Sequence, residues 1–302
     1  MQLIYEGKDI TGVVDIQSAD IVGNAGGNSD SLDIRFNDTK GIWSRWKPQK
    51  NHTLQFTSNG LTSGLMYVDE IKQQRGIFTI RALSIPQKAK TENTKAWENV
   101  RFLEFAQEMA TKNGFTLKTY GIENNLYKRI DQYEKADFEF LDSRCKLEGC
   151  ILKLFNKNAI IYKEKYMEDQ AYVKTIYIDQ FDGPFEFTSK STGIYGSSRL
   201  SYNDIKYEYN PGLLGPMLKI TDVTVDNLAE AERYTKNLLR LENKTENTGY
   251  FTINIDVSIS AGSTINVSGV GMADGRYIIT QSVHKIVSKK TFLRVRKPLG
   301  GY

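Results

Sequence analysis

Gly269, Gly271 and Gly275, in the stretch SGVGMADGRYIITQSV, almost spell a phosphate-cradling loop. A dinucleotide fingerprint needs a strand, Gly-x-Gly-x-x-Gly, and then a helix whose N-terminus faces the pyrophosphate. Here the third glycine comes one residue late, and RYIITQSV, a strand-like run, follows it. Asp274-Gly275 is also hairpin-turn chemistry. The glycines therefore predict a turn between two strands, with no nucleotide to hold.

The other reactive residue types fare no better. Glu104 and Glu108 stand one helical turn apart, and Asp179 and Asp182 flank a turn before Gly183. Glycosidic chemistry needs two carboxylates across a cleft, whereas an i,i+4 acidic pair reads as a solvated helix face. A Ser/His/Asp arrangement would have to recruit His52 or His284, and no Gly-x-Ser-x-Gly elbow accompanies them. Cys145 and Cys150 lie five apart, and with two histidines in the chain they make neither a disulfide framework nor a His/Cys metal cluster. They read as packing residues. The sequence holds no Walker loop, HExxH helix or EF-hand loop. No catalytic residue, cofactor or metal is expected.

Trp43 and Trp46, with Arg45 and Lys47 in IWSRWKP, could stack on sugars or single-stranded bases. They equally fit one core tryptophan and one at a subunit contact, where Trp and Arg are enriched. Packing or interface is the favoured reading. The tail from His284 onward carries six Lys/Arg and no acid. It suits phosphates, headgroups or an acidic partner, or else a solvated edge strand whose lysines block aggregation.

The elements that position these residues are mostly strands. Among 302 residues, 17 tyrosines and 14 phenylalanines against six prolines favour half-buried pleated surfaces. A net charge of +4 is too small to argue for nucleic acid. The N-terminus shows no basic stretch leading into an apolar one, and no apolar run approaches a bilayer span. Assembly in a bacterial cytoplasm is expected, and four Asn-x-Ser/Thr triplets (Asn37, Asn51, Asn243, Asn266) read as chance.

Alternation predicts strands at 32–36, 52–56 and 76–83. After Pro86, QKAKTENTK reads as a polar connection. A helix then carries Phe102, Phe105, Ala106, Met109 and Ala110 on one stripe, with Asn99 as cap and Gly114 as exit. A second helix fits DFEFLDSRCKLEG, ending at Gly149, and CILKLFNKNAIIY reads as two strands around an Asn-Lys-Asn turn. A third helix spans 227–243, with an Asn227/Glu230 capping box and a stripe of Leu228, Ala231, Leu238 and Leu241. The last sixty residues return to strands. The fold class is β-rich α+β: a first β domain at 1–88, a small α/β module at 89–165, and a second β domain at 166–302 including the helix.

Two segments resemble a known family, the late control D or baseplate central hub proteins of contractile phage tails and tail-like particles. In RIDQYEKADFEFLDSRCKLEGCILKLFNKNAIIY, the residues Gln132, Asp137, Phe138, Phe140, Leu141, Leu147 and Gly149 occupy the family's places. The usual serine before the aspartate is Ala136, so Asp137 is left to cap the helix. The family's Arg-Leu-Ala reads Arg144-Cys145-Lys146. In the closing segment, Gly262, Gly269, Asp274, Gly275, Tyr277 and His284 fit.

The resemblance implies two β-barrel-like tube domains per chain and a homotrimeric ring with pseudo-sixfold symmetry. That ring adapts a hexameric tail tube to a trimeric spike, with other baseplate proteins and the tape measure as further partners. DNA would meet it only in passage. It implies no enzyme and no cofactor, in the baseplate of a phage, a prophage-derived bacteriocin or an injection system. Rival readings are a tail-associated cell-wall hydrolase and a glycan-binding adhesin using Trp43 and Trp46.

Overall fold

The computed structural model describes residues 1–300, and strands dominate it. The alternating segments form them: in the strand Ser31–Asn37, Leu32, Ile34 and Phe36 point inward and Arg35 outward. Its neighbour Ile77–Leu83 buries Phe78, Ile80 and Ala82 in matching register. Apolar residues on every second position cover a core while their neighbours stay wet. The chain is β-rich α+β, as the sequence predicts.

Thirteen strands share one sheet that joins the two ends of the chain. Residues 2–83 supply one side, around a core that includes Leu3, Ile34, Phe36, Trp43, Phe56 and Ile80. Residues 175–296 supply the other, around Phe251, Ile265, Val267, Tyr277, Ile279 and Leu293. The strand Gly275–Lys285 is the seam. Its first residues pair with Thr264–Ser268, and its last five pair with Asp15–Asn24. A register shift between Ile279 and Gln281 marks where it passes from one core to the other.

Among the described residues five helices punctuate the strands: α1 (Ile42–Trp46), α2 (Phe102–Lys112), α3 (Asp137–Leu147), α4 (Glu164–Asp169) and α5 (Leu228–Asn243). A third core gathers α2 and α3 with the sheet Cys150–Phe155, Asn158–Lys163 and Thr116–Tyr120. It continues into later sequence through Leu200, Ile220, Val225, Ala231 and Tyr234, so α5 packs on the module that precedes it.

Several local expectations need correction. QKAKTENTK is no mere connection: a 3-10 turn at Gln87–Lys90 leads into the ten-residue strand Glu92–Arg101, paired with Leu126–Ala136. Only one face of this ribbon is covered. Left-handed residues at Asn99 (φ 50°) and Glu134 (φ 44°) interrupt the alternation, which hides the strand in the sequence. Asn99 therefore belongs to the strand and does not cap α2. The Arg101 backbone N–H donates to Glu104 Oε2 at 2.7 Å, and Leu103 N–H donates to Asn124 Oδ1 at 3.0 Å. The stripe read for α2 is buried as expected, and Gly114 takes the left-handed exit at φ 78°.

The helix α5 begins at Asn227, whose Oδ1 accepts from Glu230 N–H at 2.9 Å. Glu230 reaches back to Asp226 N–H at 2.8 Å, one residue earlier than a standard capping box. The buried face is also rotated. Leu228 is exposed and Leu241 half-buried, while Tyr234, Thr235, Leu239, Arg240 and Asn243 face inward. Apolar periodicity missed this because three of those side chains are polar and are matched inside. The basic tail is likewise no edge strand: Lys290–Arg296 lies between Asn247–Asn254 and Gly275–Lys285.

Candidate functional site

Gln132 and Asp137, two of the residues that carry the resemblance, meet at one buried carboxylate. Ala136, not Asp137, is the N-cap of α3, and it makes no side-chain cap bond. Asp137 is the first helical residue, almost wholly buried, and its carboxylate collects donors from three elements. Gln132 Nε2 donates at 3.0 Å, Asn113 Nδ2 at 2.9 Å and Asn93 Nδ2 at 3.2 Å, and Lys112 Nζ lies 3.0 Å away. The expectation that Asp137 caps its helix is thus overturned: its oxygens face the C-terminal end of α2 and the ribbon. Burial works to raise its pKa, but the hydrogen bonds from Gln132, Lys112 and Asn113 and the lysine charge outweigh it, holding the carboxyl below its ordinary value.

Gln132, 2% exposed, also donates to the Lys135 carbonyl at 2.8 Å and so fixes the bulged end of its strand. Phe138 meets Phe115 edge-on at 5.0 Å, and Leu141 is fully buried. Gly149, at φ 66°, follows the helix where α5 crosses it. A Cβ there would fall 2.5 Å from Asn237 Oδ1, whose amide donates to the Leu147 carbonyl at 2.8 Å. The residue must be glycine both for its backbone angle and for this approach.

The glycine turn is closed by its own chain. Asp274 accepts from Gly269 N–H at 3.1 Å and Val270 N–H at 2.7 Å, so a carboxylate sits where a phosphate would have to bind. Gly269, Gly271 and Gly275 all have positive φ, and a short 3-10 turn, Gly271–Ala273, separates the strands. Tyr277 anchors the turn by donating to the Ala273 carbonyl at 2.6 Å. Burial, with the Asp274 charge adding to it, pushes its hydroxyl up to about 12.

The two tryptophans separate. Trp43 is buried, stacked on Phe78 at 5.4 Å and edge-on to Tyr5, while Trp46 beside it is 38% exposed. Of the acidic pairs, Glu108 accepts from Trp97 Nε1 at 2.9 Å, and Asp182 pairs with Lys290 at 2.5 Å. His284 is buried against Thr291 at 3.0 Å, and desolvation lowers its pKa. His52 meets the Tyr5 hydroxyl. Cys145 and Cys150 are buried free thiols that burial drives upward.

Sequence reasoning missed the buried charges that bind the parts together. Glu148 accepts from Tyr127 at 2.6 Å and Asn125 at 2.9 Å. Lys153, on the middle sheet, pairs with Asp30 of the first β part at 2.7 Å and donates to the Asn24 carbonyl at 2.7 Å. Arg296 reaches Glu168 at 2.7 Å and Glu164 at 2.9 Å, and Arg240 reaches Glu168 at 2.9 Å. This group joins α4, α5 and the last strand beside a cavity of about 310 Å³ that Gly149 also lines. The i,i+4 spacing of Glu164 and Glu168 was the available signal, but it matches any solvated helix face.

No family model matches the sequence, and no curated protein matches it by sequence. Solved structures do match the fold. The 43 kDa tail protein of prophage MuSo2 from Shewanella oneidensis superposes with a TM-score of 0.77 at 12% identity, covering 98% of both chains. A tail protein from Neisseria meningitidis gives a TM-score of 0.77 at 13% identity, over 98% of this chain and 95% of that one. An Escherichia coli component of the type VI secretion system, described as structurally similar to bacteriophage T4 tail proteins gp27 and gp5, gives 0.68 at 11% identity, over 100% of this chain and 78% of that one. From end to end, this chain has the fold of prophage tail proteins.

Proposed function

We propose that the chain is the structural hub of the baseplate in a contractile tail or tail-like particle, adapting a hexameric tail tube to a trimeric spike. The observation that carries the reading is the match in fold over 98% of both this chain and a prophage tail protein. The likeness to a type VI secretion component supports a place beside a spike. The way the polar side chains are used supports it too: the buried carboxylates Asp137, Glu148, Glu164 and Glu168 hold segments of the chain together. In this reading the chain does no chemistry of its own.

The proposed organisation is a first tube-like domain at 1–88, a linking module at 89–165 and a second tube-like domain at 166–302. Three copies make the ring, and Trp46 lies at a contact between subunits. The partners are the tube protein, the spike, neighbouring baseplate proteins and the tape measure, with DNA only passing through. The test is the mass of the purified chain in solution, alone and with its spike protein, followed by cryo-EM of the particle. A trimer and density at the tube–spike junction are expected. A chain that stays monomeric, is absent from that junction and cleaves purified peptidoglycan would overturn the reading in favour of a hydrolase. Glycan binding lost on Trp46→Ala would point to an adhesin.

A further inference from the structure

The strand Glu186–Ser189 closes one end of the large sheet, and among the described residues Asn247–Asn254 is its only neighbour there. Just beyond it, Lys190 N–H donates to Glu246 O at 3.0 Å, in step with the same ladder. Antiparallel bonding alternates, so Glu186 and Thr188 bond inward, and the main-chain groups of Phe187 and Ser189 point to the open side. Beside this edge lies a groove of about 540 Å³ whose walls include Phe185, Phe187, Met272 and Tyr277. Phe185 is 41% exposed and Met272 is fully exposed, and both line the groove. Unused amides beside an apolar groove are the two requirements for adding a strand.

We infer that this edge and groove form a docking site for a short extended segment of a partner protein, which pairs with Phe187 and Ser189 and sets alternate apolar side chains into the groove. The size of the site decides against a second copy of this chain. Four residues of edge span roughly 13 Å at about 3.3 Å per residue, far too little for the ~800 Å² per partner of a stable subunit contact. Lys297 stands on the rim over Tyr277, 5.7 Å from the ring centre, and is not bonded to a carboxylate among the described residues. The segment therefore carries an acidic residue at one end. This inference rests on the edge and the groove alone and does not depend on the hub reading.

The test is a selection of seven-residue displayed peptides on the immobilised full chain, with the enriched sequences then synthesised and titrated by fluorescence anisotropy. Enriched peptides are expected to alternate apolar and polar residues and to include an acid. Ser189→Pro removes an outward N–H without touching the inner ladder, and it should weaken binding at least tenfold. Met272→Asp, at a fully exposed position, should do the same. Methylating alternate peptide amides should abolish binding. Failure to enrich, enrichment without alternation, or affinities unchanged in both variants would overturn the inference, whatever the oligomeric state proves to be.

Discussion

At the scale of single residues, Asp137 ties α3 to the end of α2 and to the ribbon. A carboxylate buried with four donors is stabilising only while ionised and fully matched. Asp137→Asn replaces one acceptor oxygen with an N–H₂ that faces donors already in place, Asn113 and Lys112 on one side or Gln132, Asn93 and Lys112 on the other, and should cost about 2–4 kcal/mol at neutral pH. The sign with pH follows from the lowered pKa. Asp137's contribution is complete above the ordinary carboxylate pKa and is lost as pH falls through the lower folded value. Urea midpoints measured from pH 7 to pH 3 should show the gap between wild type and variant narrowing in acid. A constant gap would mean that lost shape, not lost charge, is responsible. Gly149 separates two causes in the same way. Gly149→Ala should destabilise by roughly 1–3 kcal/mol through its left-handed backbone and the approach of Asn237. Adding Asn237→Ala should relieve only the second part, which a double-mutant comparison of melts would read.

At the scale of elements, legibility followed how local the determining interaction is. The turn at Asn156-Lys157 was readable because both residues adopt positive φ (47° and 57°) that Asn favours, and the flanking strands alternate cleanly. The stripe of α2 was readable because Phe102, Phe105 and Met109 face one core. The strand Glu92–Arg101 was not, since its buried residues, Trp97 and Val100, stand three apart with the left-handed Asn99 between them. The role of Asp137 was half legible: its pairing with Gln132 is local, whereas Asn93 and Asn113 come from elements more than twenty residues away. The basic tail misled for the same reason, because the acids that match Arg296 lie on α4 and the one that matches Lys290 is Asp182. Arg296→Met should therefore cost about 3–5 kcal/mol, by leaving Glu164 and Glu168 short of a buried partner. Replacing Arg296, Arg240, Glu164 and Glu168 together by apolar residues of similar volume should recover much of that loss, and thermal melts of the two variants side by side measure the difference.

At the scale of the molecule, the shared sheet sets the cooperativity. The strand Gly275–Lys285 belongs to both β parts, its start packed through Tyr277 and Ile279 in one core and its end bonded to Ile21 and Val22 of the other. Lys153 with Asp30, and Arg296 with Glu164, fasten the middle module to each side. Two bodies joined by a flexible linker would open with separate free energies, whereas bodies that share a strand and buried ion pairs open together. Amide exchange of Ile34 and Ile80 in the first core should therefore report the same opening free energy as that of Phe251 and Leu293 in the last. Val283→Pro, placed where the seam strand pairs with Val22 on one side and Phe292 on the other, deletes one ladder bond and should lower protection in both cores together. Loss confined to residues 2–83 would show that the two β parts fold independently and that the seam is only a contact. Equal loss on both sides would make this one strand the element through which force on either β part reaches the other.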